Sequence, residues 1–287
     1  MQSTTVAVDL AKSVFQLAVA DANWRVAEEH RLTRTQFERW FVNRDASLVI
    51  MEGCGSAHHW ARWLNSLGID VKILPAAYIR AYVKHNKTDA ADACALLEAA
   101  RCADIVPVKV KSIEQQALQG LPRKRSLWMG TRTARINALR GFCREFGISV
   151  ATGSRNGLEQ ISRVLADPHS AVPALIRGTM TLLVEEIRLL EARIGQLERE
   201  LTALAKHSPA CTTLLSISGI GLLTATAMVA ATSGNVAHFP DARHFASWFG
   251  LTPKEYSSGG SRYLGRISKR GDRHLRMLLT HGALGAA

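Results

Sequence analysis

Met180, Leu183, Ile187, Leu190, Ile194, Leu197, Leu201 and Leu204 follow one another at spacings of three and four without a break. At 3.6 residues per turn such a series makes one apolar stripe along a helix of about seven turns, and no strand can gather it on one side. Glu185, Glu186, Arg188, Glu191, Arg193, Glu198, Arg199 and Glu200 take the remaining faces. The stripe has the narrow width of a coiled-coil seam. Burying each of its large aliphatic side chains contributes roughly 1.5–3 kcal/mol, so the seam must find a partner. A second helix of the same chain can serve, but a seam this regular more often pairs between copies.

The N-terminal third has a different rhythm. Ser3–Ala11, Val14–Asp21 and Trp24–Leu32 alternate as strands separated by short turns, which predicts an opening meander. Thr35–Asn43 reads as a short amphipathic helix and Ser47–Glu52 as a buried strand closed by the Gly-Cys-Gly-Ser turn. Ala57–Leu67 is a second helix, Asp70–Leu74 a fifth strand and Ala90–Arg101 a third helix. Thr88 is placed to cap that last helix.

The balance of charge narrows the partners. Among 287 residues, 36 Lys and Arg face 24 Asp and Glu, a net charge of +12. Globular chains this basic most often meet a polyanion, nucleic acid first. The five cysteines are scattered without CxxC spacing, which points to a reducing compartment and away from a zinc site. No run approaches the ~18 apolar residues of a membrane helix, and no secretory leader is recognisable, so a cytoplasmic protein without a membrane partner is expected.

Asp89 and Asp92 stand three apart in the first turn of the third helix and share a face. A lone pair of this kind is more often a solvated first turn favoured by the helix dipole. Asp9 near the end of the first strand and Glu52 at the end of the fourth change the reading. If those strands are parallel neighbours, both carboxylates project into the crevice where open α/β sheets place their sites. Four carboxylates meeting there would need divalent cations, and oxygen-only ligation suits Mg2+ or Mn2+. Paired cations of that sort clamp phosphodiester chemistry. An actin-like sugar kinase also opens on an aspartate-bearing strand, but Leu10-Ala11-Lys12-Ser13 is no glycine-rich phosphate turn.

The order Asp, Glu, Asp-x-x-Asp on such a topology resembles the RNase H and RuvC-like nucleases. More closely, VAVDLAKSVFQ, MEGCGSAHHWAR, VKILPAAYIRAYVKHNKTDAADA and GLTPKEYSSGGSRYLGRISKRGDRHLR are similar to the DEDD transposases of the insertion-sequence one-hundred-ten family. The resemblance covers most of the chain. It implies an RNase H/RuvC-like α/β domain over 1–107, a basic helix and coiled-coil region over 108–206, and a helical C-terminal transposase domain over 207–287. It also implies Mg2+ on Asp9, Glu52, Asp89 and Asp92, a dimer or tetramer, donor and target DNA, and a structured guide RNA from the element. A bacterial cytoplasmic enzyme, at the nucleoid when active, follows from the same likeness.

From Arg123 to Arg144 the sequence holds Arg123, Lys124, Arg125, Arg132, Arg135, Arg140 and Arg144 without one acid. Leu127, Ile136, Leu139 and Phe142 lay an apolar stripe between them, so a helix with Pro122 at its start or at a kink is expected. A solvated basic face is the plain alternative, but such faces carry compensating acids at i, i+4, and phosphate contact is favoured here. Residues 151–156 read as a loop. Leu214–Ala231 reads as two helices around Gly219-Ile220-Gly221, similar to a helix-hairpin-helix, whose turn amides offer a phosphate seat. An ordinary helical hairpin is the equal alternative. Phe245–Phe249 is a short helix.

Gly250–Arg276 joins a Ser-Ser-Gly-Gly loop to Lys254, Arg262, Arg266, Lys269, Arg270, Arg273 and Arg276. The resemblance implies that Ser258 attacks the DNA phosphate, with arginines stabilising the developing charge. Ser257 and Ser261 are near enough to compete. The family's pattern has Gly-Gly-Lys where Ser261 follows two glycines, and its members continue the apolar helical pattern that reaches Ala287. The function expected is a site-specific recombinase that moves an insertion sequence. A structure-selective metal-dependent nuclease and an inactive nucleic-acid-binding relative are the alternatives.

Overall fold

Small and β-branched residues with no intervening breaker draw Thr5–Leu10 (β1) and Val14–Ala20 (β2) into the predicted meander, and the mostly exposed Val26–Thr33 (β3) joins it by pairing antiparallel with β2 at the edge. In the computed structural model the described residues are 4–42, 44, 46–83, 88–232, 234, 236–237 and 239–286. Ser3 of the first predicted strand, Asn43 of the first helix, and the Lys84–Lys87 part of the motif before Asp89 lie outside them. Two compact units divide the chain, Met1–Ile113 and Glu114–Ala287.

The first unit continues with α1 (Arg34–Val42), β4 (Leu48–Glu52), α2 (Ala57–Ser66), β5 (Asp70–Leu74), α3 (Ala76–Ile79) running into one 3-10 turn (Arg80–Tyr82), and α4 (Asp89–Ala100). The five strands form one mixed sheet in the order β3-β2-β1-β4-β5. β1 is antiparallel to β2 and parallel to β4, and β5 is parallel to β4. Strand alternation splits the core in two. Val6, Val8, Val49 and Met51 face the aromatic layer of Phe15, Phe37, Phe41 and Trp60 beneath α1 and α2. Phe15 meets Phe37 edge-to-face with centroids 4.9 Å apart, a favourable aromatic geometry. Ala7, Ala18 and Ile50 point the other way, against Ala93, Leu96 and Leu97 of α4. Small residues on that side let α4 lie close. β3 starts two residues later than its apolar pattern because Trp24 sits in a left-handed turn (φ 62). The Asp21 carboxylate holds that turn by accepting from the Asn23 and Arg25 amides.

Helices dominate the second unit. α5 (Ile113–Glu145) and α7 (Ala174–Lys206) are each 33 residues long, with α6 (Ser154–Ala166) between them. Pro122 lies inside α5 rather than at its start. The expected loop at 151–156 ends early, since Ser154 already opens α6 behind Gly153, whose φ of 88° suits only glycine. The expectation that the α7 seam pairs between copies is corrected. Met180, Ile187, Ile194, Leu197 and Leu201 are already buried within the single chain. The upper part of the seam packs with Ile136, Leu139 and Cys143 of α5 and Leu158, Ile161 and Leu165 of α6. Only Leu204, at its far end, stays exposed.

α8 (Pro209–Leu215), α9 (Leu222–Thr232) and α10 (Ala242–Trp248) follow, then the antiparallel ribbon β6 (Pro253–Glu255) and β7 (Leu264–Ile267), and α11 (Arg273–Ala286). Two glycine contacts tie this end together. Gly219 (φ 81) abuts α11, where a Cβ would come 2.5 Å from the Gly282 carbonyl oxygen. Gly250 and Gly271, both at positive φ, let the chain after α10 cross the chain before α11 with no room for a side chain on either. Arg276 locks the crossing by donating to the carbonyls of Phe249 (3.0 Å) and Arg270 (2.9 Å). All five cysteines are free thiols, and no helix among the described residues is long and apolar enough to cross a membrane.

Candidate functional site

In the first unit the candidate site is built by register. Thr5 pairs with Leu48 and Val8 with Met51 across parallel strands, so the next step sets Asp9 beside Glu52. Side-chain alternation puts Asp9 on the face of Ala7 and Glu52 on the face of Ile50, which is the face α4 covers. Both carboxylates are half-buried at the carboxyl ends of their strands. The Thr88 hydroxyl accepts from the Ala91 amide at 3.2 Å, the cap expected from sequence, and starts α4 at Asp89. Asp89 and Asp92 therefore lie in the first turn of the helix on that same side, Asp89 exposed and Asp92 half-buried.

The sheet thus gathers these acids on one face. Yet among the described residues no group of three or more Asp, Glu, His or Cys side chains closes to metal-holding distance. The donor set itself, four carboxylates with no sulfur or imidazole, is the chemistry that suits a hard divalent cation.

In the second unit the candidate nucleophile sits on a β-hairpin that sequence reading leaves as a loop. Ser258 and Ser261 exchange backbone hydrogen bonds of 3.2 Å each way around Gly259-Gly260, with Gly259 at φ 57. That is a two-residue hairpin turn, and Gly-Gly flanked by alternating residues is its sequence signal. Across the next rung but one the Tyr256 amide donates to the Tyr263 carbonyl at 2.9 Å. The three candidate serines are not equivalent. The Ser257 hydroxyl donates to Glu255 Oε1 at 2.6 Å and accepts from the Tyr263 amide at 3.3 Å. Arg262 Nε lies 3.4 Å from the same carboxylate oxygen. The hydrogen bond from Ser257, helped by Arg262, holds the Glu255 carboxyl below the usual range. Ser257 is thus spoken for by the hairpin, and a carboxylate so stabilised is a weak base. Neither Ser258 nor Ser261 has a hydroxyl partner among the described residues.

The acid-free basic stretch of α5 finds its acids elsewhere. Arg125 donates to Glu198 at 2.6 Å, Arg135 to Glu186, and Arg132 lies 3.7 Å from Glu191, so three arginines climb the charged face of α7. Arg123 pairs with Asp272, which also accepts from the His274 and Leu275 amides to cap α11. Burial opposes the Asp272 charge, but those amides and Arg123 outweigh it and lower the pKa. Arg140 donates to the carbonyls of Ala151 and Gly153. Lys124 lies over the Trp128 ring, 5.0 Å from its centroid. The acids absent from that stretch of α5 stand on α7, so the charge compensation runs across two helices and not along one. Of the turn glycines, Gly219 is closed against α11 while Gly221 opens on free space at the start of α9. Lys254, Arg266, Lys269 and Arg270 surround the hairpin and its base, exposed and without a charge partner among the described residues.

Comparison with known proteins agrees with both units. Residues 6–147 match a family model of DEDD transposases, and residues 211–287 match a second model described as Transposase IS116/IS110/IS902 family. A "Probable family 20 transposase" of Pseudomonas aeruginosa is 41% identical over 284 residues, 99% of this chain and 84% of the relative. The transposase of insertion sequence element IS1111A from Coxiella burnetii is 36% identical, across 96% of this chain and 76% of that protein. The transposase of IS1328 from Yersinia enterocolitica is 33% identical, across 98% and 83%. An acid-bearing α/β unit followed by a helical unit with a serine hairpin is, on these likenesses, a transposase. The chain belongs to the IS110 family.

Proposed function

We propose that the chain is a recombinase that moves an insertion sequence by joining itself to DNA through Ser258. The observation that carries this reading is the register of β1 on β4. It lays Asp9 beside Glu52 on the face where α4 brings Asp89 and Asp92. Those four carboxylates would hold Mg2+ or Mn2+, which supplies charge neutralisation for phosphodiester transfer when bound. The family resemblance makes Ser258 the nucleophile, and its hydroxyl is free at the hairpin turn, as is that of Ser261, whereas Ser257 is bound to Glu255. In the transfer a Ser258 Oγ–P bond forms as a P–O bond to the deoxyribose breaks. The hydroxyl proton passes through solvent to the leaving oxygen. Lys254, Arg262, Arg266, Lys269 and Arg270 hold the phosphates, with Lys124 and the Gly221 end of α9 as further contacts on a helix-hairpin-helix.

The mixed sheet, with a three-stranded meander on one side and two parallel strands on the other, supports an RNase H/RuvC-like reading of the first unit. The second unit reads as two parts, an α5–α7 region to 206 and a transposase domain from 207. Its long pairing is an antiparallel coiled-coil-like hairpin within the chain. A guide RNA from the element, donor and target DNA, a homo-oligomer and a bacterial cytoplasmic setting complete the proposal, on the family resemblance.

The test is a denaturing gel with end-labelled DNA and Mg2+. Wild type should leave a protein-linked strand, and Ser258→Ala none. Asp9→Asn, Glu52→Gln, Asp89→Asn and Asp92→Asn should each abolish cleavage while binding persists. Free cleavage products without a linked strand would return the chain to a nuclease. A discrete RNA copurifying with protein expressed beside its flanking sequence tests the guide.

A further inference from the structure

Two tyrosines stand on the serine hairpin with no internal work to do. Tyr256 is 61% and Tyr263 66% exposed, their rings 6.3 Å apart and tilted by 47°. Side chains alternate along a ribbon, so Tyr256 shares a face with Ser258, and the cross-strand pairs add Tyr263 and Ser261 to it. Glu255, Ser257 and Arg262 take the opposite face, as their mutual bonds require. The tyrosine face is therefore the face that carries the free hydroxyls of Ser258 and Ser261. Gly265 lies under the Tyr256 ring, where a Cβ would come 3.1 Å from Cε2. The absent side chain lets that ring lie down on the ribbon, leaving its other side to solvent. Neither phenol has a hydrogen-bond partner among the described residues.

An exposed pair of large aromatics beside a reactive serine is a poor surface for water and a good one for a flat ligand. Charge selects which. Lys254, Arg262 and Arg266 on the ribbon and Lys269 and Arg270 at its base stand against Glu255, already bound to Ser257 and Arg262, and Asp272, already paired with Arg123. Flat and anionic together describe a nucleotide, and stacking needs a base freed from its duplex neighbours. We infer that Tyr256 and Tyr263 form a stacking platform for unpaired DNA bases next to the phosphate that Ser258 attacks. The choice of DNA rests on the reading of Ser258 given above. The platform keeps the strand open and sets the register of the attacked phosphate against the hydroxyl.

The experiment uses the full chain and a short single-stranded DNA containing 2-aminopurine, whose fluorescence is quenched when it stacks. Wild type should quench it, and Ser258→Ala should quench it equally, since stacking does not need the hydroxyl. Tyr256→Phe and Tyr263→Phe should retain the signal. Tyr256→Leu with Tyr263→Leu should lose it and bind about tenfold more weakly, the scale of a lost base–aromatic stack. Circular dichroism monitors the fold, and if the double variant unfolds, Tyr263→Ser alone is read by the same criterion. Unchanged quenching in the leucine variants overturns the platform. So does equal quenching of a fully paired duplex, or quenching by RNA of the same sequence and not by DNA. Because Ser258→Ala is read separately, failure of the serine chemistry leaves this result standing, and the reverse.

Discussion

His58 of α2 shows how one side chain ties a unit's connections to acidity. Its Nδ1 accepts from the Lys111 amide at 3.3 Å, while Arg62 donates to the Lys111 carbonyl at 2.6 Å, so α2 grips the segment that leaves the sheet. Burial, then the charges of Lys111 and Arg62, press its pKa from 6.5 down to about 4. Between those values the unfolded chain binds the proton and the folded one does not. Stability is therefore full above about pH 6.5 and falls as pH drops through this window toward 4. The ring is half-exposed, which limits the effect to about 1 kcal/mol. The melting temperature should fall more between about pH 7 and pH 4.5 in wild type than in His58→Asn, which keeps an acceptor without a titrating ring. At the serine hairpin, Ser257→Ala should still form the DNA-linked strand, slowed several-fold by a looser turn, while Ser258→Ala forms none. A gel showing the reverse would exchange their roles. That Asp9 and Glu52 stand at or near the ends of their strands is legible in the sequence, because alternation and a polar terminus mark each strand, but that the strands are parallel neighbours comes only with the sheet. The bond from Ser257 to Glu255 is not, since a two-residue spacing means contact only once the segment is known to be a strand.

Elements differ in how much they disclose. β1, β2, β4, β5, α2 and α4 follow from local pattern alone, each bounded by a turn or cap. α6 escapes notice because Gly153 and Ser154, read as a loop, are its entry. The α7 stripe states that a partner exists but not which, and the partner is α5, whose arginines reach across to glutamates of α7. Ile187→Asp consequently strikes a fully buried position inside one chain. It should cost about 3–5 kcal/mol and unfold the second unit, visible by circular dichroism, rather than merely change the mass of an assembly. Light scattering showing a folded protein of lower mass would restore the seam to an interface. The glycines of α11 offer a paired test. Gly282→Ala drives a methyl into the Gly219 carbonyl and should lower the melting temperature by several degrees. Gly285→Ala, on the same helix but facing open space, should leave it unchanged or raise it slightly.

For the whole molecule, the two units divide the labour in a way composition hides. On the function proposed above, the carboxylates come from the α/β unit, and the hydroxyl and the exposed cations of the hairpin from the helical one. The pairing of α5 with α7 has a further consequence for how the protein meets a polyanion. Arg123, Arg125, Arg132 and Arg135 each face a carboxylate already, so they displace few ions from a nucleic acid strand. The steepness with which affinity falls as ionic strength rises counts only phosphates newly neutralised, about 0.7 for each on a single strand. Of the 36 Lys and Arg, these four thus add little to that steepness. The logarithmic slope should be about −3.5, set by Lys124, Lys254, Arg266, Lys269 and Arg270, since Arg262 already faces Glu255. Neutralising Glu186, Glu191 and Glu198 together would release the guanidinium groups and steepen it. Affinity would then rise while discrimination between DNA sequences declines, since the added contacts read only phosphate.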